Sequence, residues 1–272
     1  MSASTIAIVS GANRGIGFGI VQTLVQSYKQ PLVLYAASRA GVNLQIKPPS
    51  PDIQVKYPKL DVADPASIKS LAQMIEQEHG GCDILINNAG VNLDNRYNPD
   101  NVRQTLDINY RGTLHMCQQF IPLMKPNGRI VNISSIGGDL TGYSKSLQDR
   151  FRSSSMTLKD LEALAQEYQH SANNSTEQQD GWPPQSYKVS KSCINALTAV
   201  LHRENPGLII NACCPGWVST DMGKMVGKPR KTIEEGARIP VRLATGDIGG
   251  VSGRYWGNPS IMDTGYGDVV EW

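Results

Sequence analysis

Short β-branched runs alternate along this chain with longer segments whose apolar residues recur every three or four positions. Runs at 6–9, 32–36, 53–57, 84–87, 129–134, 208–213 and 253–256 have the look of strands buried on both faces. Between them Ile16, Ile20, Leu24 and Val25 form one helical stripe, and Ile68, Leu71, Ala72 and Ile75 form another. Strands of this kind, each followed by a helix that can cover one face, predict a doubly wound parallel α/β sheet of Rossmann type in one domain spanning 1–272. Pro48, Pro49 and Pro51 stiffen the second connection, so its helix is expected to be short or missing.

One stretch, 141–184, has no strand pattern. Within it Leu158, Leu161, Leu164, Ala165 and Tyr168 share a helical face, and Thr157 and Asp160 stand at the spacing of a capping box. A helical insertion is expected there, followed by a solvated loop over the polar tract 170–180.

The chain has 272 residues, 40% apolar and 18% charged, enough for a full-sized core. With 26 basic and 24 acidic residues the net charge is only +2, which gives no field for nucleic acid or an anionic membrane surface. No apolar run reaches the ~18 residues of a membrane span. A strand pattern begins at Ile6 with no targeting pattern before it, so the expected location is cytoplasmic. The cysteines, Cys82, Cys117, Cys193, Cys213 and Cys214, are odd in number and lack Cys-x-x-Cys spacing, so buried reduced thiols are expected and a metal site is not.

Three clusters carry chemistry. Ser10-Gly11-Ala12-Asn13-Arg14-Gly15-Ile16-Gly17 follows a strand and opens a helix, where free backbone amides can meet a pyrophosphate. Asn87-Asn88-Ala89-Gly90 ends the fourth strand, at the edge where open α/β sheets hold ligands. Tyr187 and Lys191 stand four residues apart on a late helix, which makes their side chains neighbours. With Asn109 and the Ser134-Ser135 pair closing a strand, this set and its order resemble the short-chain dehydrogenase/reductase family. The stretch Asn211 to Met222, the run Asp180-Gly181-Trp182-Pro183, the insertion before Tyr187 and the terminal Glu271-Trp272 are similar to its monomeric carbonyl reductases.

The resemblance implies a role for each matched residue. Tyr187 would give its proton to a carbonyl oxygen, with Lys191 lowering the phenol pKa and holding the nicotinamide ribose. Ser135 would hydrogen-bond the carbonyl, and Asn109 would hold a water that joins Lys191 to solvent. Gly11, Asn13, Arg14, Gly15, Ile16 and Gly17 would form the phosphate loop, Asp61 and Val62 would flank the adenine, and Asn88 would lie under the adenosine ribose. Val218 and Thr220 would reach the carboxamide and phosphates, and Trp217 would wall the substrate pocket. Arg39 after the second strand, near Arg14, stands where an NAD site has an acid, so NADP(H) is the expected cofactor.

The implied activity is NADPH-dependent reduction of a ketone, aldehyde or quinone. A dedicated NADP-dependent alcohol dehydrogenase and a non-catalytic nucleotide sensor remain as alternatives. The implied partner is a small carbonyl compound, and a monomer is expected because the insertion helix can dock on the helices around 106–124 and 187–202. In a rival arrangement the insertion is a lid over Tyr187 and Trp217.

Overall fold

A computed structural model describes residues 4–272. Eight strands form one sheet: β1 (Thr5–Ser10), β2 (Leu32–Ala37), β3 (Ile53–Lys56), β4 (Cys82–Asn87), β5 (Met124–Ile133), β6 (Ile209–Cys213), β7 (Tyr255–Gly257) and β8 (Asp268–Val269). Their spatial order is β3-β2-β1-β4-β5-β6-β7-β8, parallel throughout except that β8 runs antiparallel to β7. Order reverses between β1 and β4, which opens a crevice at their C-terminal ends. All seven expected strands are present. Strand β8 was invisible in the pattern because it is two exposed residues long.

Each face of the sheet has its own core. On one, Ile20, Val21 and Leu24 of α1 (Gly15–Ser27) meet Ile239 and Leu243 of α9 (Ile233–Thr245), which follows the single turn α8 (Asp221–Lys224), over Val9, Leu34 and Ile86. On the other lie α2 (Pro65–His79), α3 (Pro99–Leu106), α4 (Gly112–Phe120) and α7 (Ser186–Glu204), packed with Ile8, Tyr35, Leu85 and Ile130. No helix joins β2 to β3, as the prolines indicated. The five cysteines are free and buried. Among the described residues no helix is long and apolar enough to cross a membrane.

The insertion holds two helices, α5 (Lys145–Phe151) and α6 (Leu158–Asn174). Thr157 and Asp160 form the expected capping box. The apolar face of α6 packs on α3 and α7, with Leu161, Leu164 and Tyr168 at or below 1% exposure. Trp182 closes the insertion by edge contacts to Tyr143 and Phe151 and a tilted contact to Tyr168. The expected solvated loop over 170–180 is corrected in part: α6 runs on to Asn174, and Glu177 is buried with its carboxylate accepting from the Tyr97 hydroxyl at 2.6 Å. Polar composition misled there because Ser171 and Thr176 satisfy Asp180 locally, which lets a polar segment fold back on the protein.

Candidate active site

Gly11 follows β1 with φ +63°, and a Cβ there would lie 2.8 Å from the Cα of Ala89, so only glycine lets the β1 loop press against the end of β4. The two strand ends are stitched together by Ser10, whose Oγ accepts from the N–H groups of Asn88 and Ala89, each at 3.0 Å. Asn88 returns the contact, donating through Nδ2 to the carbonyls of Ser10 and Gly11 at 2.9 and 3.1 Å. Its amide nitrogen is therefore spent on holding the glycine loop.

Helix α1 begins at Gly15 without a side-chain cap among the described residues and without an acid in its first turn. In contrast, Asp64, Asn98, Thr157 and Thr232 cap α2, α3, α6 and α9. The uncapped amides of α1 face a loop kept open by glycine, a local environment suited to a phosphate. Thr220 brings the loop after β6 to the same place, with its methyl group 3.1 Å from where a Gly15 Cβ would stand.

At the C-terminal end of β2, Arg39 is exposed. Arg14 lies 3.4 Å from Asp221 in a pair that is largely solvated. Lys59, also exposed, is brought in by the bridge between Ser38 and Lys59 and is a second cation that the sequence reading passed over. Asp61 and Val62 form the turn into α2, with Asp61 Oδ1 accepting from Ala63 N–H at 3.0 Å and Val62 buried against Gly112.

The catalytic candidates converge one strand further along. Ser135 leaves β5 and caps a single helical turn, Ile136–Gly138, by accepting the Gly137 N–H at 3.1 Å. Its hydroxyl and the Tyr187 ring flank Gly137 together, and Ser135 acts on the phenol by lowering its pKa. One turn along α7, Lys191 places its Nζ 5.5 Å from the centre of the Tyr187 ring and donates to the Ile133 carbonyl at 2.8 Å.

Burial governs the protonation of both groups. It draws Lys191 down to about 8 and pushes Tyr187 up to about 12, the latter opposed by Ser135. Lys191 is not among the groups that move the phenol here. The ammonium lies over the ring face and is directed to a backbone carbonyl, not to the phenol oxygen.

Asn109 sits in a π turn, Asp107–Arg111, between α3 and α4. Its Oδ1 accepts from Val91 N–H at 2.8 Å, while Nδ2 donates to the Val91 carbonyl and the Ser190 hydroxyl, each at 2.9 Å. The side chain is a clamp between the β4 loop and α7, although it also faces, with Lys191, the small space over Gly90.

Beside Ser135 a cleft of about 210 Å³ is lined by Ile136, Cys214, Gly216, Tyr255, Ile261 and Val270. Trp217 packs edge-on to Gly227, and its indole N–H donates to the Gly223 carbonyl at 2.8 Å. Exposed Ile136, Met225 and Val226 add apolar surface. Lys231, 1% exposed, is another residue the sequence did not single out; its Nζ has no hydrogen-bond partner among the described residues and lies against Gly216.

Residues 5–147 match the family described as short chain dehydrogenase. Carbonyl reductase (NADPH) 3 of Rattus norvegicus is 37% identical over 256 residues, covering 89% of this chain and 91% of that protein. Among solved structures, salutaridine reductase from Papaver somniferum superposes with a TM-score of 0.80 at 28% identity, over 92% of this chain and 99% of that one. An NADPH-bound carbonyl reductase from chicken fatty liver gives 0.65 at 25% identity, over 100% and 96%. With the glycine loop uncapped for phosphate and a serine, a tyrosine and a lysine gathered at the sheet edge, the chain belongs to the short-chain dehydrogenase/reductase family of oxidoreductases and is homologous to the carbonyl reductases.

Proposed function

We propose that this protein is an NADPH-dependent carbonyl reductase acting on ketones, aldehydes or quinones. The observation that carries this is the Ser135–Tyr187 hydroxyl pair, with Lys191 one turn along, beside an apolar cleft. The residues present suit a dinucleotide: the amides at Gly15 to Gly17 would take the pyrophosphate, Val218 and Thr220 would reach the carboxamide and phosphates, and Asp61 and Val62 would flank the adenine. Arg39 and Lys59, with no acid at the end of β2, favour a 2′-phosphate.

NADPH supplies a hydride to the carbonyl carbon. Ser135 holds the carbonyl oxygen and stabilises the charge that grows on it. Tyr187 gives that oxygen its phenolic proton, and the resulting phenolate is reprotonated from the side of Lys191, across the space over Gly90 that Asn109 also faces. Lys191 would hold the ribose hydroxyls with the N–H groups that the Ile133 carbonyl leaves free.

We also read the chain as one domain that works as a cytoplasmic monomer on a small-molecule substrate. Support for the monomer comes from α6, whose apolar face is already buried on α3 and α7. The test of function is NADPH consumption with a panel of aldehydes, ketones and quinones; no turnover on any of them contradicts the proposal.

A further inference from the structure

Helix α7 starts at Ser186, so Tyr187 occupies its first turn. The preceding Gln185 provides no side-chain cap among the described residues, and the first turn carries no acid. The leading amides of a helix lack partners within it, so an uncapped first turn frays. A tyrosine placed there would move with it.

The missing cap comes from 92 residues upstream. Asp94, in the short turn Asp94–Arg96 that follows β4, accepts the Ser186 N–H through Oδ1 at 3.0 Å, together with the Ser186 hydroxyl, and accepts the Tyr187 N–H through Oδ2 at 3.1 Å. Both carboxylate oxygens are engaged, and a negative charge at a helix N-terminus is favourable in itself. The same loop grips the other side of the residue. Val91 is clamped by Asn109, Asn109 donates to Ser190, and Ser190 Oγ donates to the Tyr187 carbonyl at 2.7 Å.

We propose that Asp94 is a positioning residue for the reaction: a cap supplied from the β4 loop that fixes the start of α7 and sets the Tyr187 phenol against Ser135. The role rests on Tyr187 being the proton donor. The carboxylate also acts on the phenol through space. The groups around the Tyr187 side chain are Ser135, Lys191, Cys214 and Tyr255, and Asp94 adds a negative charge that disfavours the phenolate. Asp94 faces Tyr97 and Tyr168 as well, in a cluster that contains Glu177. Removing the charge therefore moves the ionisation of Tyr187 to lower pH.

Two variants test this, Asp94→Ala and Asp94→Asn, the second keeping one acceptor oxygen and the shape of the side chain. In the alanine variant the amides of Ser186 and Tyr187 should exchange with solvent about ten-fold faster or more, and kcat should fall by a similar factor. KM for NADPH should stay within about three-fold, because the phosphate loop is on other elements. The asparagine variant should recover part of the exchange protection and of kcat. Wild-type exchange rates at both amides in the alanine variant overturn the proposal, as does faster exchange with kcat unchanged. An asparagine variant that recovers neither exchange protection nor kcat also overturns it. If the wild-type protein reduces no carbonyl compound, the activity reading has failed; the exchange rates still report whether Asp94 caps α7.

Discussion

Tyr187 and Lys191 were legible in the sequence because four-residue spacing on a helix fixes their adjacency, and Ser135 because it closes an apolar strand. Their protonation was not legible, since it depends on how deeply each is buried and on where Nζ points. Replacing Tyr187 by Phe keeps the ring and removes the proton, so turnover should drop by at least ~10²-fold with NADPH affinity within a few-fold. Steady-state kinetics and a cofactor titration check both. Lys191 separates stability from function. Its pKa falls from 10.5 unfolded to about 8 folded, so burying the charge costs stability in full below pH 8, and the cost fades as pH rises toward 10.5. Lys191→Met, without cofactor, should thus be more stable than wild type at pH 7, by at most roughly 3 kcal/mol, with the gain shrinking above pH 8. Its NADPH binding should be weakened at the same time. Urea unfolding across that pH range reads the first effect and isothermal titration the second. Ser190 and Asp94 gave no sequence signal, because the contacts that give them meaning join segments about 80 to 90 residues apart.

At the level of elements, continuous β-branched runs located seven strands and period-3.6 stripes located α1, α2 and α6, because each of those elements buries apolar surface. The π turn at Asp107–Arg111, the cap on α7 and the two residues of β8 bury too little to leave a pattern. The end of β2 is where an element decides a preference. Arg39→Asp exchanges a cation for an anion at the expected 2′-phosphate, and charge-assisted phosphate contacts are worth roughly 1.5–3 kcal/mol, so NADPH should bind at least about ten-fold worse. NADH binding should be unchanged or improved. Equal losses for both cofactors would mean that Arg39 serves the strand end and not the phosphate. Lys59→Ala should add a smaller loss for NADPH alone.

Across the whole molecule, the doubly wound order followed from the alternation of strands and helices, and the β1/β4 crevice follows from that order. The insertion adds a layer over α3 and α7, held by its aromatic core and by Arg111, which bonds Asp107 at 2.6 Å and Glu162 at 2.8 Å. A helix of this length is marginal in water without such packing. With that face covered, light scattering at micromolar concentration should report a monomer, and Leu161→Asp with Leu164→Asp should produce association or insolubility. A stable tetramer of the wild type would remove the insertion's blocking role. The glycine loop, the Arg39 edge and the Ser135–Tyr187–Lys191 group are proposed to act together as one reductase site. The most direct test is the near-ultraviolet absorbance of NADPH mixed with purified protein and an aromatic ketone, aldehyde or quinone, run beside the same mixture with NADH and with the Tyr187→Phe variant. Absorbance should fall steadily with NADPH, much more slowly with NADH and hardly at all with the variant; equal rates for wild type and variant would mean that Tyr187 is not the proton donor.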